Sequence, residues 1–144
     1  PDLMRDVGVG AAGLGLLTAA FFIGFASVQL PLGLLLDRFG AARVQAGLMA
    51  VAALGALAFA LATTPTGLVL ARALIGVGCA GGLMAAFKAI VKWYPPQRLS
   101  FVNGCYLATG GLGAIVATRP VEAMLSFVDW RGVFVLLAFL SLLS

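Results

Sequence analysis

Histidine is missing from this 144-residue chain, and only 10% of its residues are charged. The first absence removes the commonest general base and metal ligand. The second excludes a water-soluble globule, in which about a quarter of residues carry charge. Acidic residues number five, and no two of them share helical spacing within an apolar run, so the common hydrolytic chemistries are poorly served. Cysteine is limited to Cys79 and Cys105, both in apolar segments and with no CxxC spacing, which reads as packing rather than redox or metal chemistry. Nine basic residues give a net charge of +4 but stand singly between apolar runs, which argues against a nucleic-acid partner. What remains is 62% hydrophobic with 19 glycines, more apolar surface than one core of this size can hide. Lipid is therefore the expected solvent.

A membrane-crossing helix needs about 20 mostly apolar residues. Runs bounded by charge, proline or turn residues fall at about 12–36, 44–62, 67–90 and 101–128, with a shorter run at 133–144. The spacing predicts an all-α, polytopic bundle with four complete spans and one partial span, forming a single unit over 1–144. Lys92-Trp93-Tyr94-Pro95-Pro96 places cations and aromatics at headgroup level and ends a helix with two prolines. The start, Pro1 to Asp6, reads as a polar loop without signal-peptide features, and both ends are expected to continue in a longer chain. Arg38, Arg43, Lys88, Lys92 and Arg98 gather on one side, against Arg5 and Arg131 on the other. The cation-rich side, with the 37–43 and 92–98 loops, is expected to be cytoplasmic in a cell inner (plasma) membrane.

Gly33-Leu34-Leu35-Leu36-Asp37-Arg38-Phe39-Gly40 stands at one of these helix ends. It resembles the G-x-L-A-D-R-x-G-R-K signature between the second and third helices of major facilitator superfamily transporters. The pattern asks for a glycine where helices approach closely, an acid to face a neighbouring helix N-terminus, a cation beside it and a glycine to turn. The family's basic pair is replaced by Ala41-Ala42, with Arg43 one position late. Leu68, Arg72, Gly76 and Gly78 are similar to the family's fourth-helix pattern, Lys88 to Pro95 to that helix's exit, and Asp129 to Phe134 to the start of the sixth helix. The resemblance implies helices two to five and half of helix six of a twelve-helix transporter. It also implies inverted three-helix repeats, in which Asp37-Arg38-Phe39-Gly40 corresponds to Asp129-Trp130-Arg131-Gly132 on the opposite face.

Small residues recur four apart at Ala20/Gly24, Gly78/Gly82, Gly104/Ala108 and Gly113/Ala117, and Gly76, Gly78, Gly82 and Gly113 are expected at helix crossings. Arg72 lies about six residues into its span, roughly 9 Å from the membrane edge. Snorkelling to headgroups accounts for it, while the resemblance implies substrate contact or proton coupling. Arg119 and Glu122 share a face at i,i+3. They read as a structural ion pair, an anion-binding arginine with a displaceable counter-ion, or a titrating glutamate. The antiporter signature of the fifth helix is absent here, which turns the expectation from drug export to other solutes. Gln29 shares a face with Thr18 and Gly33 and fits a polar cavity or an interhelical hydrogen bond equally well.

The resulting expectation is a permease fragment moving a small solute by alternating access, with a gate formed by Gly33, Asp37, Arg38, Gly40 and Arg43. Its expected partners are the lipid bilayer, a small-molecule substrate with a proton as candidate coupling ion, and a missing C-terminal half or another membrane subunit. No cofactor, metal or nucleic acid is expected. The rival is a truncated, non-transporting membrane module that assembles with itself or a partner; an intramembrane enzyme ranks third.

Overall fold

The computed structural model describes residues 10–125 and 129–143, with side chains at 10, 12–116 and 129–142. The described residues are all helix and turn, and four stretches are long and apolar enough to cross a membrane. Helix α1 spans Ala11–Phe39, α2 Ala41–Leu61, α3 Pro65–Cys79, α4 Gly82–Trp93, α5 Leu99–Leu125 and α6 Trp130–Leu143, with a 3-10 turn at Pro96–Arg98.

Local chemistry sets the boundaries. Helix α1 runs through Pro31, whose missing N–H leaves the Ser27 carbonyl without its helical donor. Gly40, at φ 82° and ψ 154°, occupies backbone space that only glycine enters cheaply, and so reverses the chain between α1 and α2. Thr64 caps α3 by accepting from the Gly67 N–H at 3.1 Å, with Pro65 in the first turn. The apolar run expected to be one helix from 67 to 90 is two, α3 and α4. Between them Ala80 N–H bonds back only three residues, to the Val77 carbonyl, at 3.2 Å. The glycines at 78, 81 and 82 weaken the regular ladder there.

The bundle centres on α3, which packs against α1 and α2, while α6 packs on α2 and brings Trp130 to Leu17, Leu68 and Ala71. Its core is built largely from small side chains, as lipid-solvated helices require. Ala53, Ala56 and Ala138 join α2 to α6, and Leu32, Leu36, Leu48 and Ala85 form a separate cluster at the Asp37 end. The closest crossings are at glycine. A Cβ on Gly76 would stand 2.1 Å from the Phe21 carbonyl oxygen, one on Gly24 2.1 Å from that of Ala73, and one on Gly78 2.4 Å from the Ala52 nitrogen. Gly82 and Gly113 depart from the packing expectation. Together with Gly33 and Gly104, they turn toward open space, with nothing among the described residues within 4 Å of an added Cβ. Helix α5 is exposed from 104 to 116, where Tyr106 reaches α4, its hydroxyl donating to the Gly82 carbonyl at 3.3 Å and its ring edge-on to Phe87 at 6.3 Å.

Arg131 donates to the Ala60 carbonyl at 2.9 Å and lies over the Trp130 ring at 4.6 Å. It thereby supplies a partner and a positive charge to the C-terminal end of α2. This fixes Asp129 to Gly132 at the end of α2 opposite Asp37 to Gly40. The local geometries of the two segments differ. Gly40 ends a helix, whereas the Asp129 carbonyl starts one by accepting from the Gly132 N–H at 2.9 Å.

Candidate functional site

Two places bring chemistry-bearing side chains together. In the first, Arg72 of α3 reaches between α1 and α2. Its guanidinium carbon stands 5.5 Å from the Phe21 ring centre and 6.0 Å from that of Phe59, at the limit of cation–π attraction. The side chain borders a cavity of about 200 Å³ with Leu14, Leu17, Thr18, Phe59, Trp130 and Phe134. Phe59 packs against Phe134 at 4.3 Å and edge-on to Trp130 at 5.9 Å, making an aromatic wall. Among the described residues no carboxylate pairs with Arg72. A guanidinium in such a wall has five N–H donors in a planar fork suited to bidentate carboxylate or other oxyanion contact.

Thr18 belongs to this cavity, its hydroxyl donating to the Leu14 carbonyl at 3.0 Å. Gln29 does not. It is half-buried on α1, about 12 Å along the helix from Phe21. Arg119 and Glu122 lie outside the residues whose side chains are described. The aromatic frame was missed at the level of sequence. Phe21 is one turn from Thr18, but Phe59 and Trp130 arrive from other helices and no local spacing announces them.

The second place is the Asp37 end. The Lys88 ammonium donates to Asp37 Oδ1, joining α1 to α4 across 51 positions. Among the described residues this cation, not a helix N-terminus, is the acid's partner, because the α3–α4 span carries Lys88 to the end of α1. Arg38 lies over the Phe39 ring at 5.5 Å. Arg43 and Lys92 border with Lys88 a cavity of about 540 Å³. No group of three or more metal-ligating side chains occurs among the described residues.

The whole of residues 1–144 matches the family model described as Major Facilitator Superfamily. The chain belongs to the Major Facilitator Superfamily. It is a multi-pass membrane protein of that family's helical type. It is 31% identical over 137 residues to a quinolone resistance transporter of Acinetobacter baumannii, covering 90% of this chain and 31% of that protein. It is 30% identical over 145 residues to a hexuronate transporter of Bacillus subtilis, covering 99% and 34%. A probable sulfoacetate transporter of Cupriavidus necator is 26% identical over 142 residues, covering 99% and 33%. The chain thus spans about a third of the length of the curated relatives it matches. No solved structure matches it significantly.

Proposed function

We propose that this chain serves a secondary transporter that moves a small organic anion across the inner membrane by alternating access, with Arg72 as the group that meets the anion. The observation that carries the reading is the environment of Arg72. It lies about 10 Å along α3 from Pro65, beside an aromatic-walled cavity and with no carboxylate partner among the described residues. An ionised side chain inside a span costs about 2.5–3.5 kcal/mol on insertion scales and marks a functional site by default. Hexuronate and sulfoacetate, named for two of the relatives, both bear a carboxylate. The Asp37 to Arg43 segment acts as the cytoplasmic gate in this reading.

The test is uptake and binding by the intact transporter with a panel of labelled carboxylates and neutral analogues of equal size. Arg72→Ala is expected to lower affinity for a transported carboxylate at least tenfold and Arg72→Lys to restore part of it, because loss of the fork leaves the charge. Full affinity in Arg72→Ala, or preference for the neutral analogue, overturns the anion reading. Labelling of a cysteine placed in the 95–98 turn from outside the cell overturns the orientation.

A further inference from the structure

The large cavity at the Asp37 end borders the segment read as the gate, and it is basic. Arg43, Lys88 and Lys92 face it with one acid, Asp37. Lys88 and Asp37 are paired, so Arg43 and Lys92 remain without an acidic partner among the described residues. Phe39 and Trp93 border the same space, Trp93 being 80% exposed. Aromatics and cations at helix ends belong at headgroup depth.

From Arg43 and Phe39 the cavity continues into an apolar groove of about 480 Å³ lined by Leu35, Val44, Gly47 and Val51. Arg43 to Val51 is about 12 Å along α2, directed from the helix end into the hydrocarbon. Gly47 forms part of the groove, and a Cβ added there would meet nothing within 4 Å. A soluble anion would use only the basic part. One molecule that uses both parts is a phospholipid with its phosphate between Arg43 and Lys92 and an acyl chain on α2.

We propose that this cavity and groove form a binding site for an anionic glycerophospholipid. Charge complementarity selects the anionic class. With Asp37 occupied by Lys88, the ammonium of a zwitterionic headgroup meets two uncompensated cations, whereas a headgroup of net negative charge meets its complement. The inference rests on membrane placement and not on the identity of any transported solute.

The test is native mass spectrometry of the intact transporter in detergent, titrated separately with phosphatidylglycerol, phosphatidylethanolamine and inorganic phosphate. Phosphatidylglycerol is expected to bind in preference to phosphatidylethanolamine. Arg43→Gln and Lys92→Gln are each expected to weaken it about fivefold. Gly47→Phe, whose Cβ meets nothing within 4 Å and whose ring occupies the groove, is expected to weaken phosphatidylglycerol while leaving phosphate unchanged. Lys92→Arg keeps the charge and is expected to keep the lipid. If it loses lipid as Lys92→Gln does, the loss is one of fold and Gly47→Phe decides. Equal binding of the two lipids, displacement of phosphatidylglycerol by equimolar phosphate, or full lipid retention in Gly47→Phe overturns the proposal.

Discussion

Replacing Gly76 by alanine tests the crossing on which the Arg72 site is built. The new methyl would stand 2.1 Å from the Phe21 carbonyl oxygen and 3.1 Å from the Phe25 nitrogen, whereas ordinary van der Waals contact begins near 3.4 Å. The obstructing atoms are backbone, so no rotamer relieves the clash and α1 and α3 must part by about 1 Å. Gly24 is in similarly close contact with Ala73 one turn along the same crossing, so a simple tilt transfers the strain rather than removing it. Overpacking of this kind costs about 1–3 kcal/mol, so the apparent melting temperature is expected to fall. The displaced segment carries Phe21, one of the two rings over Arg72, so solute affinity is expected to fall with stability. The assay is the monodisperse fraction of the purified transporter after graded heating. Gly110→Ala in α5 is the control. It meets nothing within 4 Å and is expected to match or exceed the parent, since alanine is favoured over glycine by about 1 kcal/mol inside a helix. If Gly76→Ala and Gly110→Ala melt together, the close approach of α1 and α3 is wrong, and with it the placement of Phe21 over Arg72.

Gly40→Ala is expected to destabilise by about 1–3 kcal/mol in the same heating assay, because φ 82° with ψ 154° is closed to a side chain; an unchanged melt would show that the turn adopts another backbone. Arg131→Gln removes the charged donor from the Ala60 carbonyl and is expected to cost about 1–2 kcal/mol, whereas Arg131→Lys is expected to recover part of it. Asp37→Lys and Lys88→Asp are each expected to reduce transport, and the double exchange to restore it in part, measured as initial uptake at matched expression; no rescue refutes the pairing. Spin labels at Leu34 and Val91, across the α1–α4 gap, are expected to give a broader distance distribution than labels at Ile23 and Leu70, across the α1–α3 crossing; equal widths would refute a looser Asp37 end.

Apolar runs reveal how many helices there are and roughly where they turn, because hydropathy over 20 residues is a property of local sequence. The Asp37 to Gly40 turn was legible for a similar reason: one glycine performs it. The interruption at Ala80–Gly81 escaped, since hydropathy continues unbroken through glycine and alanine while the hydrogen-bond ladder does not. Spacing of small residues identified a face but not its neighbour. Gly76 and Gly78 meet α1 and α2, whereas a Cβ added at Gly82 or Gly113, equally regular in sequence, would meet nothing described. At the candidate site, Arg72 stood out as a charge in an apolar run. Its frame did not, since Phe21, Phe59 and Trp130 come from three helices and converge only when those helices pack. Asp37 was visible and its partner was not, because an exposed contact across 51 positions leaves no periodic trace.

The α3–α4 span is held very unevenly, and this separates its two ends mechanically. Helix α3 is joined to its neighbours by backbone-to-backbone contacts at Gly24, Gly76 and Gly78, none of which can open without moving a whole helix. Helix α4 buries only Ala85, against Leu32, Leu36 and Leu48, touches α5 at its start through Tyr106, which meets the Gly82 carbonyl and the Phe87 ring, and is otherwise tied to α1 by the exposed Lys88–Asp37 pair. Surface ion pairs are worth about 0–1 kcal/mol, so the tie breaks at little cost. Between the two lies the one stretch of the span where the regular ladder is interrupted and a bend breaks few further hydrogen bonds. The interruption at Ala80–Gly81 is thus the place in the span where the Asp37 end and Arg72 are least regularly joined. An aromatic cavity held by glycine crossings can keep its shape while the opposite end of the same span moves.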